Sequence, residues 1–267
     1  MKRIGLLAGI GRLPVEFARA ACGMGFTVTA VALTSEVDAE LKTVVTEYHE
    51  ISIGQLESIL AALTAAGVEE ATLLGKVTKE LLYSGQVAVD DRMKRLLGGL
   101  KDFSDDTLML GFVKELAAAG IGVLDQTAFI RALLPAPGVL TRRQPTPQEA
   151  ADMEFGLGMA RAIGGLDIGQ TVVVKDRAVM AVEAIEGTDA CIRRGGQLGR
   201  GGVTVAKTAK PSQDSRFDVP AVGPDTLQAM IDAGAVALVI EAGKTLLVNR
   251  QRVIELADAN NITIAVQ

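Results

Sequence analysis

Short β-branched and aliphatic runs alternate along this chain with longer stretches of helical period. Residues 3–8 form an apolar run that ends in Gly9-Ile10-Gly11, and Leu13-Pro14-Val15-Glu16-Phe17-Ala18 then opens a helical pattern. Pro14 suits a first helical turn, where its missing N–H would have no partner. Thr27–Leu33 predicts a strand, Ile53–Ala66 a helix stopped by Gly67, and Ala71–Leu74 a strand leading into Gly75-Lys76. Asp90–Leu97 and Asp105–Ala118 predict helices, and Ile121–Leu124 another strand. Strands alternating with helices predict a parallel sheet, a Rossmann-like α/β domain over residues 1–134. The texture then changes, because Pro135, Pro137, Pro145 and Pro147 are four of the eight prolines. Proline without glycine repeats makes a stiff connector, so a Pro-rich linker is expected over 135–147. A C-terminal α/β domain follows over 148–267. It has helices at Gln148–Ile163, Asp225–Ala233 and Arg250–Ala259. Its expected strands are Thr171–Val174, Ala178–Val182, Val203–Ala206, Ala235–Ile240, Thr245–Val248 and Ile262–Val266. Gly195–Gly202 holds five glycines in eight residues and reads as a mobile loop.

Composition narrows the class of function. Hydrophobic residues at 49% and charged residues at 22% are globular values that exclude disorder. A net charge of −5 argues against a non-specific nucleic-acid binder. No apolar run reaches the roughly 18–20 residues of a membrane-spanning helix. With 3% aromatic residues and no tryptophan, a base- or sugar-stacking cleft is not expected. Cys22 and Cys191 lack CxxC spacing, and His49 is the only histidine, which excludes a disulfide framework and a His-rich metal centre. His49 lies in Glu47–Ser52, which reads as a short strand or its edge. Met1-Lys2-Arg3 and the apolar run after it run straight into Gly11-Arg12-Leu13-Pro14, so they are read as a first strand. A cytoplasmic protein is expected.

Three stretches carry candidate chemistry. The Gly9-Ile10-Gly11 turn resembles the start of a dinucleotide fingerprint, but Pro14 occupies the third glycine position and no acidic residue ends Thr27–Leu33. The expectation is phosphate or nucleotide contact at Gly9 and Gly11 without NAD, with Lys76 placed to reach an anion. Glu183, Glu186, Thr188 and Asp189 follow a strand and precede Arg193-Arg194, a dense grouping for a strand end. Thr188 or Asp189 can instead serve only as a helix cap. Ala206–Pro220 has too few apolar residues and too many prolines for a regular element, yet carries Lys207, Lys210, Asp214, Arg216 and Asp218. That mixture suits a phosphate site in which the cations neutralise phosphoryl oxygens and the aspartates hold a divalent cation or orient water. Asp105-Asp106 reads equally as a helix N-terminus or as a metal or substrate contact, Asp106 being the candidate.

Four motifs match a known family: Gly5-Leu6-Leu7-Ala8-Gly9-x-Gly11-x-Leu13-Pro14, Leu166-Asp167-Ile168-Gly169-Gln170, Ala181 to Asp189, and Lys210-Pro211-x-Gln213-Asp214-x-Arg216-Phe217-Asp218-x-Pro220. The chain resembles the LpxI family, UDP-2,3-diacylglucosamine pyrophosphatases of lipid A biosynthesis. The resemblance implies hydrolysis of a lipid-linked UDP-sugar to UMP and 2,3-diacylglucosamine 1-phosphate (lipid X) with Mg²⁺ or Mn²⁺. It also implies a two-domain homodimer touching the inner membrane peripherally. Asp218 matches the family's essential aspartate, as metal ligand or water activator, and Asp214, Glu183, Glu186 and Asp189 are the candidates to complete the metal shell. Leu13, Gln170, Gln213, Lys210 and Arg216 join the substrate-binding candidates on their motif positions. The resemblance assigns no role to Gly195–Gly202. The small-residue helix Ala150–Ile163 is a candidate wall for acyl chains. Two other readings stand beside this one. A non-catalytic nucleotide- or phospholipid-binding regulator would not need the aspartates, and an NAD-dependent oxidoreductase is opposed by Pro14.

Overall fold

β1 (Arg3–Ala8) is buried along all but its first residue, and β2 (Thr27–Ala32) beside it is buried past Thr27. Near-continuous apolar strands of this kind belong in a sheet covered on both faces. The computed structural model describes residues 2–77, 87–102, 104–211 and 213–267. It divides into two units, residues 1–130 with 215–217, and residues 131–214 with 218–267. Ser212, inside the fourth motif, lies outside the described residues. In the first unit, β3 (Glu47–Glu50), β4 (Glu70–Leu74) and β5 (Gly122–Val123) complete a parallel sheet of order β3-β2-β1-β4-β5. This is the expected Rossmann-like order, with its reversal between β1 and β4. His49 sits on β3 opposite Val31, a structural position.

Helices α1 (Leu13–Gly23), α2 (Leu41–Val44), α3 (Leu56–Ala65), α4 (Asp91–Gly98) and α5 (Asp105–Ala118) join these strands. Leu7, Ile59, Leu63, Met93, Phe112 and Leu116 are buried in one cluster that ties α3, α4 and α5 to the sheet. Asp90 serves two helices at once. Its Oδ1 accepts from Met93 N at 2.8 Å, capping α4, and its Oδ2 accepts from Glu57 N in the first turn of α3, also at 2.8 Å.

The second unit holds a mixed sheet. Its strands are β6 (Gly138–Val139), β7 (Thr171–Lys175), β8 (Ala178–Val182), β9 (Val203–Lys207), β11 (Ala235–Ile240) and β13 (Thr263–Val266), in the order β6-β13-β11-β9-β7-β8. β9, β11 and β13 run parallel, and β10 (Ala221–Val222) pairs separately with β12 (Leu246–Leu247). α6 (Pro147–Gly165) starts on a full capping box between Thr146 and Glu149. α7 (Thr188–Gly199), α8 (Pro224–Asp232) and α9 (Arg250–Ala259) complete the unit.

Three expectations are corrected here. The glycine run is not a loop over most of its length, because Gly195, Gly196 and Gly199 lie inside α7. A Cβ on Gly195 would stand 2.5 Å from Val173 Cβ, and one on Gly196 2.5 Å from Ala233 Cβ. Glycine is used for close approach, not for flexibility. The chain leaves the helix only at Arg200, Gly201 and Gly202, all with positive φ, where Lys175 Nζ donates to the carbonyls of Gly199 (2.8 Å) and Gly201 (2.9 Å). Residues 135–147 are built into the second unit rather than forming a stiff linker outside it, since β6 pairs antiparallel with β13, Arg143 pairs with Glu149, and Pro147 opens α6. Finally, the small face of α6 is filled by the sheet. A Cβ on Gly156 would meet Ala206 Cβ at 2.8 Å, which leaves no room there for methylene groups of a ligand.

Buried Asp152 on α6 holds the β7–β8 turn, accepting from Arg177 N at 2.7 Å and Asp176 N at 3.0 Å. Both turn residues have positive φ, as a two-residue hairpin turn requires. Asp152→Ala should destabilise the second unit by about 1.5–3 kcal/mol, the usual loss for hydrogen bonds to a charged group. A urea denaturation midpoint checks this.

Candidate functional site

In the first unit the turn after β1 is shaped by the strand beside it. Gly9 N donates to Leu74 O at 2.8 Å, and Ile10 and Lys76 exchange backbone hydrogen bonds of 2.8 and 2.9 Å. A Cβ on Gly9 would stand 2.6 Å from Lys76 O, and Gly75 returns the approach with φ +90. Gly9 is therefore required by the crossing of two backbones, whatever it binds. Gly11 has φ +108 and open space around it, and Leu13 begins α1. Arg12, at the same helix start, pairs with Asp38 at 3.0 Å and with Glu40. The Arg12 guanidinium holds the Glu40 carboxyl below its ordinary range. The Lys76 side chain at this turn is exposed. Asp106 is exposed in the first turn of α5, capped by Ser104, where negative charge favours the helix dipole.

The second unit gathers more at the carboxyl ends of its parallel strands, the end where open α/β sheets bind ligands. Lys207 closes β9 and is only 7% exposed. Its Nζ donates to Thr188 Oγ1 at 2.7 Å, and Thr188 Oγ1 donates to Glu183 Oε1 at 2.8 Å. Glu183 Oε2 accepts from Gln170 N at 3.3 Å. Lysine, hydroxyl, carboxylate and backbone thus form one chain across β9, α7, β8 and the start of β7. Gln170 Oε1 and Thr208 Oγ1 are buried in the same place with no hydrogen-bond partner among the described residues. Buried unsatisfied oxygens in a native site call for a ligand or water. Asp189 stands in the first turn of α7, where it favours the helix dipole.

The loop after β9 is braced from within. Gln213 spans it, its Oε1 accepting from Lys210 N at 2.6 Å and its Nε2 donating to Asp218 O. Asp218 N donates to Asp214 O at 3.1 Å. Lys210 Nζ lies 2.7 Å from Asp167 Oδ1 and 3.8 Å from Asp218 Oδ2. Between the two aspartates, residues 215–217, including Arg216, belong to the first unit, where Gln126 N donates to Ser215 O at 2.8 Å. Gln213 is thus a brace that fixes Lys210 and Asp218 in one loop.

The carboxylates do not form the three-residue metal shell expected of Asp218, Glu183 and Glu186. Glu186 is paired with Arg194, which holds its carboxyl below the usual range, and accepts from Ala184 N at 3.1 Å. Glu183 is committed to Thr188 and Gln170. Among the described residues no three His, Cys, Asp or Glu side chains converge. Mg²⁺ commonly takes only one or two carboxylates, with water and substrate phosphates completing its shell. Asp214 and Asp218 stand on one turn, with Asp218 N donating to Asp214 O at 3.1 Å and the Asp218 side chain 35% exposed.

Cys191 is fully buried in α7, and burial pushes its thiol up to about 12. The folded state therefore holds this proton more tightly than the unfolded chain. The associated stability is present below the thiol's unfolded pKa and is lost as pH rises from about 9 toward 12. Cys191 should stay unreactive toward a thiol reagent at pH 8 until denaturant is added, as a titration with Ellman's reagent would register.

Sequence reasoning missed Glu241 and Arg161, and gave Asp167 no role beyond its place in a motif. Glu241, just past β11, is buried and accepts from Ala209 N at 3.3 Å while Arg161 and Lys244 pair with it, so it steers the chain leaving β9. The signal available was a carboxylate directly after the apolar run Ala235–Ile240.

Fold and site together define a two-unit α/β protein that gathers cationic and polar side chains at strand ends. Residues 3–133 match the LpxI N-terminal domain and residues 136–265 the LpxI C-terminal domain, so the chain belongs to the LpxI family. It is 34% identical over 270 residues to the UDP-2,3-diacylglucosamine pyrophosphatase LpxI of Caulobacter vibrioides, covering 97% of this chain and 95% of that protein. Among solved structures, N5-carboxyaminoimidazole ribonucleotide synthetase from Thermotoga maritima is 18% identical over 70% of this chain and 42% of its own, with a TM-score of 0.25. The biotin carboxylase subunit of pyruvate carboxylase is 14% identical over 65% and 35%, with a TM-score of 0.28. The chain spans less than half of either structure, and at such scores neither informs the site.

Proposed function

We propose that this protein hydrolyses the diphosphate of UDP-2,3-diacylglucosamine, giving UMP and 2,3-diacylglucosamine 1-phosphate for lipid A synthesis. The observation that carries the reading is 34% identity over 97% of the chain to a UDP-2,3-diacylglucosamine pyrophosphatase. The geometry supports it. Lys210, held by Gln213 and Asp167, presents an ammonium group beside Asp218, and Gln170 and Thr208 keep oxygens for a ligand or its water. Asp218 and Asp214 orient the attacking water and would hold a Mg²⁺ or Mn²⁺ ion, which when bound would neutralise phosphoryl oxygens. Lys210 and Arg216 stabilise the charge that grows as the anhydride P–O bond breaks. No helix among the described residues is long and apolar enough to cross a membrane. The proposal extends to a cytoplasmic homodimer that touches the inner membrane peripherally to reach its lipid-linked substrate, as the family resemblance implies.

The test is incubation of the purified protein with UDP-2,3-diacylglucosamine and Mg²⁺, with UMP followed by chromatography. UMP release that stops in EDTA and returns with added metal is expected. No UMP would overturn the activity, and undiminished release in EDTA would overturn the metal requirement.

A further inference from the structure

Asp167 stands where the local structure favours another residue. α6 ends in a tight turn in which Asp167 N donates to Gly164 O at 3.1 Å and Ile168 N to Ile163 O at 3.0 Å. Asp167 itself takes φ +55. Glycine is the usual occupant of that left-handed position, because it has no Cβ to crowd the backbone. The position is also unfavourable for the charge. The last turn of a helix is the negative pole of its dipole, so a carboxylate there is repelled. Glycine or asparagine would suit the turn better on both counts.

The carboxylate reaches instead to the loop after β9. Its Oδ1 accepts from Lys210 Nζ at 2.7 Å, and the same ammonium stands 3.8 Å from Asp218 Oδ2. The main chain of Lys210 is pinned on two sides. Gln213 Oε1 accepts from Lys210 N at 2.6 Å, and the end of α6 packs against it, since a Cβ on Gly164 would lie 3.5 Å from Lys210 Cα and 3.7 Å from Pro211 Cδ. With the backbone fixed, the direction of the four-carbon stem is left to the carboxylates that draw it, and Asp167 is nearer than Asp218. An ammonium seated fully on Asp218 would offset the negative charge on which the proposed role of that residue depends. It would also be held back from phosphoryl oxygens.

We infer that Asp167 is a positioning residue for hydrolysis. By taking the Lys210 ammonium itself, it keeps that charge beside Asp218 without a close pair between them, so that both groups meet the substrate. Residues kept in a locally disfavoured conformation cluster at working sites, and Asp167 is one of them. The inference rests on the proposed activity.

Asp167→Asn and Asp167→Gly both suit the left-handed turn and delete the charge. The Asp167 side chain is 65% exposed, so losing the pair should cost little stability, and both variants should unfold at or above the wild-type temperature. Each should nonetheless lower kcat for UMP release by about 10-fold, with KM within about threefold, because a misplaced charge is felt in the transition state. A residue serving only the turn would not lose turnover while holding its stability. In a Lys210→Met background, Asp167→Asn should change kcat by less than about twofold, because the two residues act as a unit. Single variants within twofold of wild type, a loss that comes with a lowered unfolding temperature, or an undiminished loss in the Lys210→Met background would each overturn the inference. Wild type that releases no UMP would sink the activity and the inference together, whereas active wild type with indifferent variants would sink the inference alone.

Discussion

Asp218→Asn should lower turnover of UDP-2,3-diacylglucosamine by about 10²–10⁴-fold, the range lost when a positioned acid–base group is removed. The substitution keeps the shape of the side chain. It also keeps the backbone bonds that hold the residue, from Asp218 N to Asp214 O and from Gln213 Nε2 to Asp218 O. Only the charge is deleted. The Asp218–Lys210 ion pair, at 3.8 Å, is long and partly exposed, so its loss should change stability by under about 1 kcal/mol. KM should move far less than kcat, because a group acting on the attacking water is felt mainly in the transition state. Turnover within a few-fold of wild type would remove Asp218 from the catalytic machinery.

Gly196→Ala should destabilise the second unit by about 2 kcal/mol, against the sign that helix propensity alone would give. In an open helix, alanine for glycine stabilises by up to about 1 kcal/mol. Here the added Cβ would stand 2.5 Å from Ala233 Cβ and run into the Ala233 carbonyl oxygen. That carbonyl cannot yield freely, since Ala233 N bonds Ala229 O at 3.0 Å and the chain turns at once through Gly234. Overpacking of this kind costs about 1–3 kcal/mol or more. Gly158→Ala on α6 is the internal control. Nothing lies within 4 Å of its added Cβ, so it should stabilise by about 0.5–1 kcal/mol. Urea midpoints for the two variants should move in opposite directions.

These opposite signs show where sequence reasoning stops. The βαβ alternation was legible because parallel strands such as Val28–Ala32 and Leu6–Ala8 are buried on both faces and read as unbroken apolar runs. The glycine run was misread because composition shows small residues without showing what they pack against, and Val173 and Ala233 come from other parts of the chain. The two-residue strands β6 and β10 have no periodicity of their own and exist only through partners far away in sequence. The candidate site divides the same way. Lys210, Gln213, Asp214 and Asp218 stand within nine residues, so their association was readable from spacing. Glu241, Asp167 and Arg161 meet that loop only because the sheet order brings the ends of β11 and α6 beside it.

The pairing of β6 with β13 bears on solubility. β13 is a buried, apolar, parallel strand, and without a neighbour it would present a free ladder of N–H and C=O groups to any other extended chain. Gly138 and Val139 occupy that ladder opposite Val266 and Ala265, and Leu140 N carries the pairing on to Ile264 O at 2.9 Å. The covering strand is itself too short to template another. Pro137 immediately before it and Pro135 two residues earlier have no N–H to offer an incoming strand. The proline-rich stretch is therefore a guard on the sheet: it ends strand addition at this edge and keeps an aggregation-prone segment out of reach of other copies of the chain.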